Sequence, residues 1–334
     1  MNKVLVTGGC GYIGSHTVCS LISNNIYPII LDNNINSYNW IVDNIQNYYG
    51  EDSCKFFCGS TSIINDLNIY VDGIIHFAAH KSVGESVKDP LEYYNNNIRS
   101  LLDILSYINK YRIRNFIFSS SCTVYGDVRS CPIDENYPVT KGLNPYGQTK
   151  IICEKIITDF YSANKDLNCV MLRYFNPVGA NILVPIGEKP KKTPESLVSR
   201  LLNYASNKDS FVVHGNDYNT FDGSPVRDYV DVNDLSLCHT ECFKKMKDCG
   251  GLFKIYNVGS GGGTTVLELI RTFEKVSGLK LQINVGPRRY GDAEKVYADV
   301  SKIKNEMNIS CDTPLETSLT NCWIWQQYLN KKGY

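Results

Sequence analysis

The chain has 334 residues, of which 43% are hydrophobic, which is enough to build one large globular unit or two closely packed domains. Lys and Arg together number 34 and so do Asp and Glu, so the net charge is zero and no long-range field favours nucleic acid or an anionic membrane. An anionic ligand must therefore be held by a few local cations and by backbone amides.

Short apolar runs alternate with helical patterns through the first half of the chain, which is typical of a parallel α/β sheet. Several of the runs are apolar on both faces, as strands covered by helices on both sides are. The sequence predicts strands at 3–6, 28–31, 55–58, 73–77, 115–119 and 169–173, and helices at 12–23, 91–110 and 145–163. We therefore expect a Rossmann-type doubly wound sheet that binds a dinucleotide over residues 1–175.

The composition changes after Asn176, where four prolines fall in a stretch with several lysines and glycines. This pattern predicts a loop-rich connection into a smaller mixed domain, 176–334, that binds the substrate. The segment at about 227–257 is a candidate to return to the first domain. A glycine cluster at 259–263 predicts a turn before a helix at 266–276.

The 13 cysteines are scattered from Cys10 to Cys322 and contain no CxxC pair. No cluster of cysteine and histidine has the spacing of a zinc site, so we expect no metal. We expect reduced, mostly buried thiols in a cytoplasmic protein. The beginning of the chain carries no secretory pattern, and no apolar run approaches the ~20 residues of a membrane span.

A glycine-rich turn follows the first predicted strand and opens the first predicted helix. Gly8, Gly11 and Gly14 match GxxGxxG, and Gly9 with the latter two matches GxGxxG. Such glycines allow a tight turn and a close approach of the backbone to a pyrophosphate, which the helix N-terminus attracts. Asp32 ends the second strand, where a carboxylate binds the adenosine ribose diol and repels a 2′-phosphate. The pattern favours NAD over NADP.

Tyr146 and Lys150 form a YxxxK pair on one face of a predicted helix. A nearby Lys cation and a positive nicotinamide ring favour the phenolate form of the tyrosine and bring it towards useful basicity. Ser121 lies just after the fifth predicted strand, at the edge where open α/β sheets bind ligands. The neighbouring Ser119 and Ser120 fit a loop-capping role better than Ser121 does.

Together these features resemble the extended short-chain dehydrogenase/reductase family and, within it, the UDP-galactose 4-epimerases. The resemblance covers nearly the whole chain. It is carried by the blocks VTGGCGYIGSH, IILDNNINS, IIHFAAHKSVGES, PLEYYNNN, FIFSSSCTVYGD, PYGQTK, LRYFNPVGA, GNDYNTFDGSPVRDYV, YNVGSG and PRRYGD.

The resemblance implies roles at the matching positions. Tyr146 corresponds to the active-site base, Lys150 to the residue that lowers its pKa and holds the nicotinamide ribose, and Ser121 to the hydroxyl that binds the sugar's 4-oxygen. The implied cofactor-binding positions are Gly8, Gly11, Tyr12, Ile13, Gly14, Asp32, Asn33, Asn36, Ser37, Phe77, Ala78, Lys81, Asn96, Tyr146, Lys150 and Tyr174. The implied substrate-binding positions are Ser121, Tyr146, Asn176, Ser196, Leu197, Arg227, Arg289, Asp292 and Val296.

The implied activity is the interconversion of UDP-glucose and UDP-galactose by transient oxidation at C4, with tightly held NAD regenerated in each cycle. Arg227 and Arg289 suit a UDP-sugar on chemical grounds as well, because planar cations are preferred partners of a pyrophosphate. The family is usually dimeric and pairs through helices of the cofactor domain, for which 91–110 and 151–163 are the candidates here. The leucines at 101, 102 and 105 could instead all face the core.

Four positions depart from the family pattern. Ser60 replaces an Asp that contacts adenine, and Ser196 replaces an Asn that precedes Leu197 in the UDP-binding stretch. Cys122 replaces a small residue and is expected to pack as one. Val296 replaces a bulky Tyr of some members, which predicts a sugar pocket that also admits UDP-GlcNAc and UDP-GalNAc unless the neighbouring Tyr297 fills the same space.

Other functions are compatible with the same fold. A 4,6-dehydratase needs an Asp-Glu pair after Ser121, and a decarboxylase usually has a Glu there, but Cys122 and Thr123 occupy these positions. Asp32 disfavours an NADP-linked reductase, and the complete Ser121, Tyr146 and Lys150 set disfavours a silent NAD-binding scaffold. A 4-epimerase of UDP-glucuronate or a UDP-pentose remains open, because the sequence does not reveal the wall that faces C5.

Overall fold

The structure, a computed structural model, describes residues 1–207, 211–289 and 292–333. The strands are β1 (Lys3–Thr7), β2 (Tyr27–Asp32), β3 (Lys55–Cys58), β4 (Gly73–His76), β5 (Asn115–Ser121), β6 (Asn168–Tyr174), β7 (Asn176–Val178), β8 (Ala180–Asn181), β9 (Ile186–Gly187), β10 (Phe211–His214), β11 (Val226–Arg227), β12 (Tyr229–Asp231), β13 (Phe253–Val258), β14 (Thr264–Thr265), β15 (Ile283–Gly286) and β16 (Lys295–Val296).

The helices alternate with these strands through the first half of the chain. They are α1 (Tyr12–Ser23), α2 (Trp40–Tyr49), α3 (Val83–Lys88), α4 (Pro90–Tyr111), α5 (Pro145–Ala163), α6 (Leu197–Asn207), α7 (Val232–Met246), α8 (Val266–Ser277), α9 (Ser301–Met307) and α10 (Leu315–Lys332). Short 3-10 helices occur as well, including Cys122–Tyr125 directly after β5.

A seven-stranded parallel sheet forms the centre of the molecule, with the order β13-β6-β5-β4-β1-β2-β3. Successive strand residues alternate between two apolar layers. Val4 and Val6 belong to one core cluster and Leu5 to the other. Both faces are covered, which is why the strands are apolar throughout. The predicted Rossmann-type doubly wound fold is confirmed, and its strand order reverses between β1 and β4.

Most predicted elements have nearly their predicted bounds. The regions 12–23, 55–58 and 145–163 agree to the residue, whereas β5 continues two residues further than predicted because its pairing with β6 extends to Ser121 and Tyr174. The sequence interpretation missed α2. Only Ile41, Val42 and Ile45 of this helix are buried, a stripe too short to stand out among its asparagines and tyrosines.

Elements from beyond residue 176 add to the large sheet. Strand β13 pairs with β6 at the sheet edge, and α7 packs against α1. The remaining chain forms a smaller mixed unit in which α6, α8 and α10 surround a separate apolar core with β10 and β15 nearby. This core contains Leu201, Phe211, Leu269, Phe273 and Leu319. The expected smaller mixed C-terminal part is thus present.

All 13 cysteines lie in the described ranges and are free thiols. Most are buried, and Cys58 and Cys249 are exposed. Among the described helices, none combines the length and the apolar character needed to cross a bilayer.

Candidate active site

The glycine-rich turn packs directly against the end of β4. Gly8 has a φ of 69°, and a Cβ there would lie 2.9 Å from the backbone nitrogen of Ala78. A Cβ at Gly14 would lie 2.2 Å from the carbonyl oxygen of Gly8. Gly11 precedes α1 without a side-chain cap on its backbone N–H groups. The turn therefore accepts only glycine at Gly8 and Gly14, and it leaves the start of α1 open to an anion.

Asp32 connects the glycine turn to the loop after β2. One carboxylate oxygen, Oδ2, accepts a 2.9 Å hydrogen bond from the Cys10 backbone nitrogen. The other, Oδ1, accepts from the Asn34 nitrogen at 2.8 Å and from the Ser37 hydroxyl at 2.7 Å. Because each carboxylate oxygen has about two lone pairs, Oδ2 keeps one for a further donor such as a ribose hydroxyl.

The other predicted adenosine-side residues lie in the same loop. Asn33 and Asn36 are exposed, whereas Ser37 is buried against Asp32. Ser60, at the end of the neighbouring β3, pairs its hydroxyl with that of Ser62 at 2.6 Å.

Four more predicted cofactor residues lie on α1, in the segment after β4 and on α4. Ile13 packs on the sheet core, and the Tyr12 hydroxyl donates to the Gly179 carbonyl oxygen at 2.7 Å. The Lys81 ammonium lies 5.8 Å from the Tyr12 ring centroid and 2.8 Å from Glu188 Oε1. Asn96 lies on α4 and donates to the side chain of its neighbour Asn97 at 3.0 Å.

Ser121 and Tyr146 meet at the carboxyl end of β5. The Ser121 oxygen accepts from the Thr123 backbone nitrogen at 3.2 Å and from the Thr123 hydroxyl at 3.0 Å, which occupies both of its lone pairs. Its own O–H is therefore left to act on the Tyr146 phenol, whose ionised form it favours. Burial raises the pKa of Tyr146 to about 12, while the hydrogen bond from Ser121 acts in the opposite direction.

The expectation that Ser119 or Ser120 caps the loop is wrong. Ser121 itself caps the 3-10 helix after β5 through its bond from Thr123. Ser120 points instead to Glu154 on α5, with a hydrogen bond of 2.6 Å. The strand continues through all three serines, so their side chains alternate between its two faces.

Lys150 lies one helical turn beyond Tyr146 on α5. Its ammonium donates a 2.6 Å hydrogen bond to the Ser119 carbonyl oxygen and lies 6.0 Å from the centroid of the Tyr146 ring. Burial lowers the pKa of Lys150 to about 8, while Cys153 and Glu154 favour its charged form. The lysine thus faces the same strand end as the tyrosine.

Tyr174, the last residue of β6, is paired with Ser121 in the sheet. Its hydroxyl is hydrogen-bonded to Nε2 of His239 on α7. The other ring nitrogen, Nδ1, lies 2.8 Å from the Leu235 carbonyl oxygen, which can only accept, so Nδ1 carries the proton and Nε2 accepts from Tyr174. Burial lowers the pKa of His239 to about 4, which keeps it neutral. Phe77 packs against this imidazole with ring centroids 4.8 Å apart.

Several predicted substrate residues gather at the small sheet of the second unit. Arg227 on β11 forms an ion pair with Asp292, and Arg227 is paired with Val296 of β16. The exposed Arg289 joins them, because its carbonyl oxygen accepts from the Asp292 nitrogen at 3.2 Å. In the PRRYGD block, Tyr290 and Gly291 lie outside the described residues.

These predicted substrate residues reach the corner formed by the end of β5 and the 3-10 helix Cys122–Tyr125. The Arg227 charge acts on the Cys122 thiol, which directly follows Ser121, and Cys122 and Val296 pack on the same small apolar cluster. Burial raises the pKa of Cys122 to about 12, so the thiol is an inert packing group, as expected. Asn176 begins β7, and its backbone nitrogen donates to the Asp228 carbonyl oxygen at 2.9 Å.

Ser196 and Leu197 stand at the beginning of α6. The Ser196 hydroxyl donates to Glu188 Oε2 at 2.8 Å, and Ser199 donates to the same oxygen. Glu188 thus joins Lys81, from the predicted cofactor set, to Ser196, from the predicted substrate set. Burial opposes ionisation of this carboxyl, but Lys81 and the two serines outweigh it, so the pKa of Glu188 is lowered.

The residues that the sequence interpretation missed are Glu188, His239, Glu154 and Arg173. Arg173 and Glu154 form a buried ion pair beneath the corner that carries Ser121. Arg173 was signalled as the charged residue of β6 after the apolar run 169–172. Glu154 was signalled by its position four residues after Lys150 on the predicted helix. His239 has no such signal, because only the packing of α7 brings it to Tyr174.

Comparison with known proteins gives consistent relatives. A family model described as "NAD dependent epimerase/dehydratase family" matches residues 4–259 of the chain. A UDP-glucose 4-epimerase of Pasteurella multocida is 40% identical over 337 residues, which cover 99% of both chains. The solved UDP-glucose 4-epimerase of Stenotrophomonas maltophila, with bound NAD and formylated UDP-arabinopyranose, is 34% identical with a TM-score of 0.95, covering 99% of this chain and 100% of that one. The enzyme of Bifidobacterium longum, in complex with NAD+ and UDP, is 37% identical with a TM-score of 0.92 and the same coverage.

Proposed function

The chain belongs to the NAD dependent epimerase/dehydratase family, and we propose that it is a UDP-glucose 4-epimerase, an isomerase that interconverts UDP-glucose and UDP-galactose. The observation that carries the proposal is the meeting of Ser121, Tyr146 and Lys150 at the carboxyl end of β5. The 4,6-dehydratase alternative lacks an acidic pair at this corner, where Cys122 and Thr123 stand.

The cofactor of the proposed enzyme is NAD. The crowded glycine turn, the uncapped start of α1 and the remaining lone pair of Asp32 fit its pyrophosphate and its ribose diol. Lys81, Asn96 and Tyr174 are proposed to contact it further along. When bound, NAD supplies a hydride acceptor and later a hydride donor for the C4 carbon of the sugar.

The side chains at the corner supply the proton chemistry. Tyr146, as phenolate, takes the proton of the 4-hydroxyl and returns it when the sugar is reduced again. The Lys150 cation favours the phenolate by its charge. The Ser121 hydroxyl favours it too and can donate to the sugar's 4-oxygen. Tyr174 and His239 form a buried wall behind this corner.

Inversion at C4 requires the 4-keto sugar to turn over while UDP stays bound. Arg227 and Arg289 are proposed to hold the pyrophosphate, with Asn176, Ser196, Leu197 and Asp292 around the nucleotide. Most of the binding energy then lies on UDP, and the sugar itself is held loosely.

The range of sugars is a finer proposal. Val296 stands beside Arg227 and packs with Cys122, and its small side chain supports acceptance of UDP-GlcNAc and UDP-GalNAc as well. A UDP-glucuronate or UDP-pentose 4-epimerase is the alternative within the same chemistry. It would require the wall facing C5 to favour a carboxylate or a hydrogen.

We further propose a cytoplasmic homodimer. The free, mostly buried thiols support a reducing compartment. On α4, Leu101 and Leu105 are buried in the core, but Leu102 is 43% exposed and Leu91 79% exposed, which supports pairing through this helix. Light scattering of the purified protein tests the dimer, and a monomer at micromolar concentration would contradict it.

One experiment tests the activity. The purified protein is incubated without added NAD with UDP-glucose, UDP-GlcNAc or UDP-glucuronate, and the products are identified by nuclear magnetic resonance. We expect UDP-galactose from UDP-glucose. Tyr146→Phe should abolish turnover and retain the dinucleotide, and full activity of this variant would remove Tyr146 from its role. Conversion of UDP-glucuronate alone would favour the alternative.

A further inference from the structure

A buried ion pair lies beneath the corner that carries Ser121. Arg173 on β6 donates from Nε to Glu154 Oε1 at 2.9 Å and from NH2 to Glu154 Oε2 at 2.7 Å. Both side chains are less than a tenth exposed. Burying such a pair rarely adds stability over apolar residues of the same size, so its place in the core calls for a reason other than stability.

The ion pair is hydrogen-bonded to residues on both sides of Ser121 in the chain. Glu154 Oε1 also accepts a 2.6 Å hydrogen bond from Ser120, the residue before Ser121. Arg173 NH1 donates at 3.0 Å to the hydroxyl of Tyr125, which ends the 3-10 helix that follows Ser121. The Tyr125 hydroxyl in turn donates to the Asn257 side chain on β13.

The same carboxylate belongs to the helix of the proposed base. Glu154 follows Lys150 by four residues and Tyr146 by eight on α5, so all three lie on one side of the helix. The ion pair therefore connects the helix that carries Tyr146 to the strand end and the short helix that flank Ser121. Ser121 favours the ionised form of Tyr146, so the strength of this effect depends on how the two elements are held against each other.

We propose that Glu154, clamped by Arg173, is a positioning residue of the epimerase reaction that fixes the corner of Ser121 against the helix of Tyr146. The inference rests on the proposed function. Neither Glu154 nor Arg173 touches the reacting atoms. The clamp acts through the hydrogen bonds of Ser120 and Tyr125.

The carboxylate has a second effect, on charge. The groups that face the Lys150 ammonium are Cys153 and Glu154 of α5, the Ser119 carbonyl of β5 and His76 of β4. Glu154 is the anionic one among these groups, and it favours the charged form of the lysine. Loss of its charge, with Arg173 left in place, makes protonated Lys150 less favourable.

The decisive variant is S120A/Y125F, which cuts both ties and leaves the ion pair and every charge in place. The matched control is S236A/Y107F, which removes one buried serine hydroxyl without a partner and one buried tyrosine hydroxyl bonded to a carbonyl. These residues lie on α7 and α4, which do not carry Ser121, Tyr146 or the ion pair. We expect kcat for UDP-glucose to fall on the order of 10- to 100-fold relative to the control, the cost of a small misplacement at a reacting centre. KM, bound NAD and the pH at which kcat falls should stay as in the control. A kcat within about twofold of the control overturns the proposal.

Two further measurements separate the parts of the inference. Glu154→Gln keeps the shape and an acceptor for Ser120 but removes the charge, and it should move the alkaline fall of kcat to lower pH; an unmoved fall overturns the charge effect. Crystal structures of the wild type and of S120A/Y125F report on the clamp without any substrate. In the variant the Ser121 hydroxyl should shift relative to the Tyr146 hydroxyl, because Ser120 no longer bonds to Glu154 and residue 125 no longer bonds to Arg173. An unchanged separation of the two hydroxyl oxygens overturns the clamp even if UDP-glucose proves not to be the substrate, whereas inactivity of the wild type alone contradicts only the proposed function.

Discussion

The ammonium nitrogen of Lys150 lies 6.0 Å from the centroid of the Tyr146 ring, one turn along the same helix. Burial acts on the two groups in opposite directions, since it raises the pKa of Tyr146 to about 12 and lowers the pKa of Lys150 to about 8. As the pH rises, the cation is therefore lost before the phenol ionises. In the proposed mechanism the Tyr146 phenolate is favoured only while the lysine is charged.

We predict that kcat for UDP-glucose falls as the pH rises through about 8, because neutral Lys150 no longer favours the Tyr146 phenolate. The measurement is kcat at saturating substrate across the neutral and alkaline range. Lys150→Arg stays charged throughout this range, so its lower activity should show no such fall. A wild-type rate that rises steadily through the alkaline range would contradict the assignment.

Three buried histidines predict acid sensitivity. Burial lowers the pKa of His16 and His239 to about 4 and that of His76 to about 3, against 6.5 in the unfolded chain. The unfolded state therefore binds more protons below pH 6.5, and the stability present above that pH is lost as the pH falls towards the folded values. At about 1.4 kcal/mol per pH unit below 6.5, each histidine lowers the free energy of unfolding by roughly 2 kcal/mol at pH 5, and the three together by about 6 kcal/mol. A typical free energy of unfolding is about 5–15 kcal/mol.

Urea unfolding at neutral pH and near pH 5 measures this loss. The matched variant is His16→Gln. Nε2 of His16 has no hydrogen-bond partner, and the Gln amide nitrogen can replace Nδ1 as the donor to the Tyr12 carbonyl oxygen. The variant should lose less stability than the wild type over the same interval. Equal losses in both proteins would show that His16 does not titrate in this range.

Val296→Tyr tests the proposed sugar range. A tyrosine beside Arg227 narrows the space next to Cys122, so we expect turnover of UDP-GlcNAc and UDP-GalNAc to fall about tenfold or more while UDP-glucose is converted within a few-fold of the wild-type rate. Product analysis of the parallel reactions is the measurement. The proposal is wrong if the wild type converts UDP-glucose and leaves UDP-GalNAc untouched.

Asp32→Asn tests the adenosine end of the cofactor site. All the protein groups that Asp32 binds are hydrogen-bond donors. Whichever way the Asn side chain turns, its amide nitrogen would replace one carboxylate oxygen and would face the N–H of Cys10 or of Asn34, so one hydrogen bond would be lost. We expect the variant to retain less NAD through purification and to gain more in melting temperature from added NAD. Asp72→Asn is the control, because Asp72 likewise accepts from a backbone nitrogen, that of Lys3, at the opposite end of the sheet. Equal NAD content in the two variants would remove Asp32 from the cofactor site.

Local chemistry in the sequence was enough to predict the parallel sheet, the glycine turn and the corner. Gly14 is required by its contact with Gly8, six residues away, and Tyr146 and Lys150 share a helix face by spacing alone. The capping prediction for Ser119 and Ser120 failed because the choice among three serines depends on Glu154, which lies on another element.

The sequence by itself determined which residue types could do redox and proton chemistry and where strands and helices alternate, because these follow from periodicity and near neighbours. Only the tertiary structure decided that β13 joins the large sheet and that His239 accepts a hydrogen bond from Tyr174. It also decided that Glu188 joins Lys81 to Ser196. These contacts join residues far apart in the chain, and their partners are selected by the packing of whole elements.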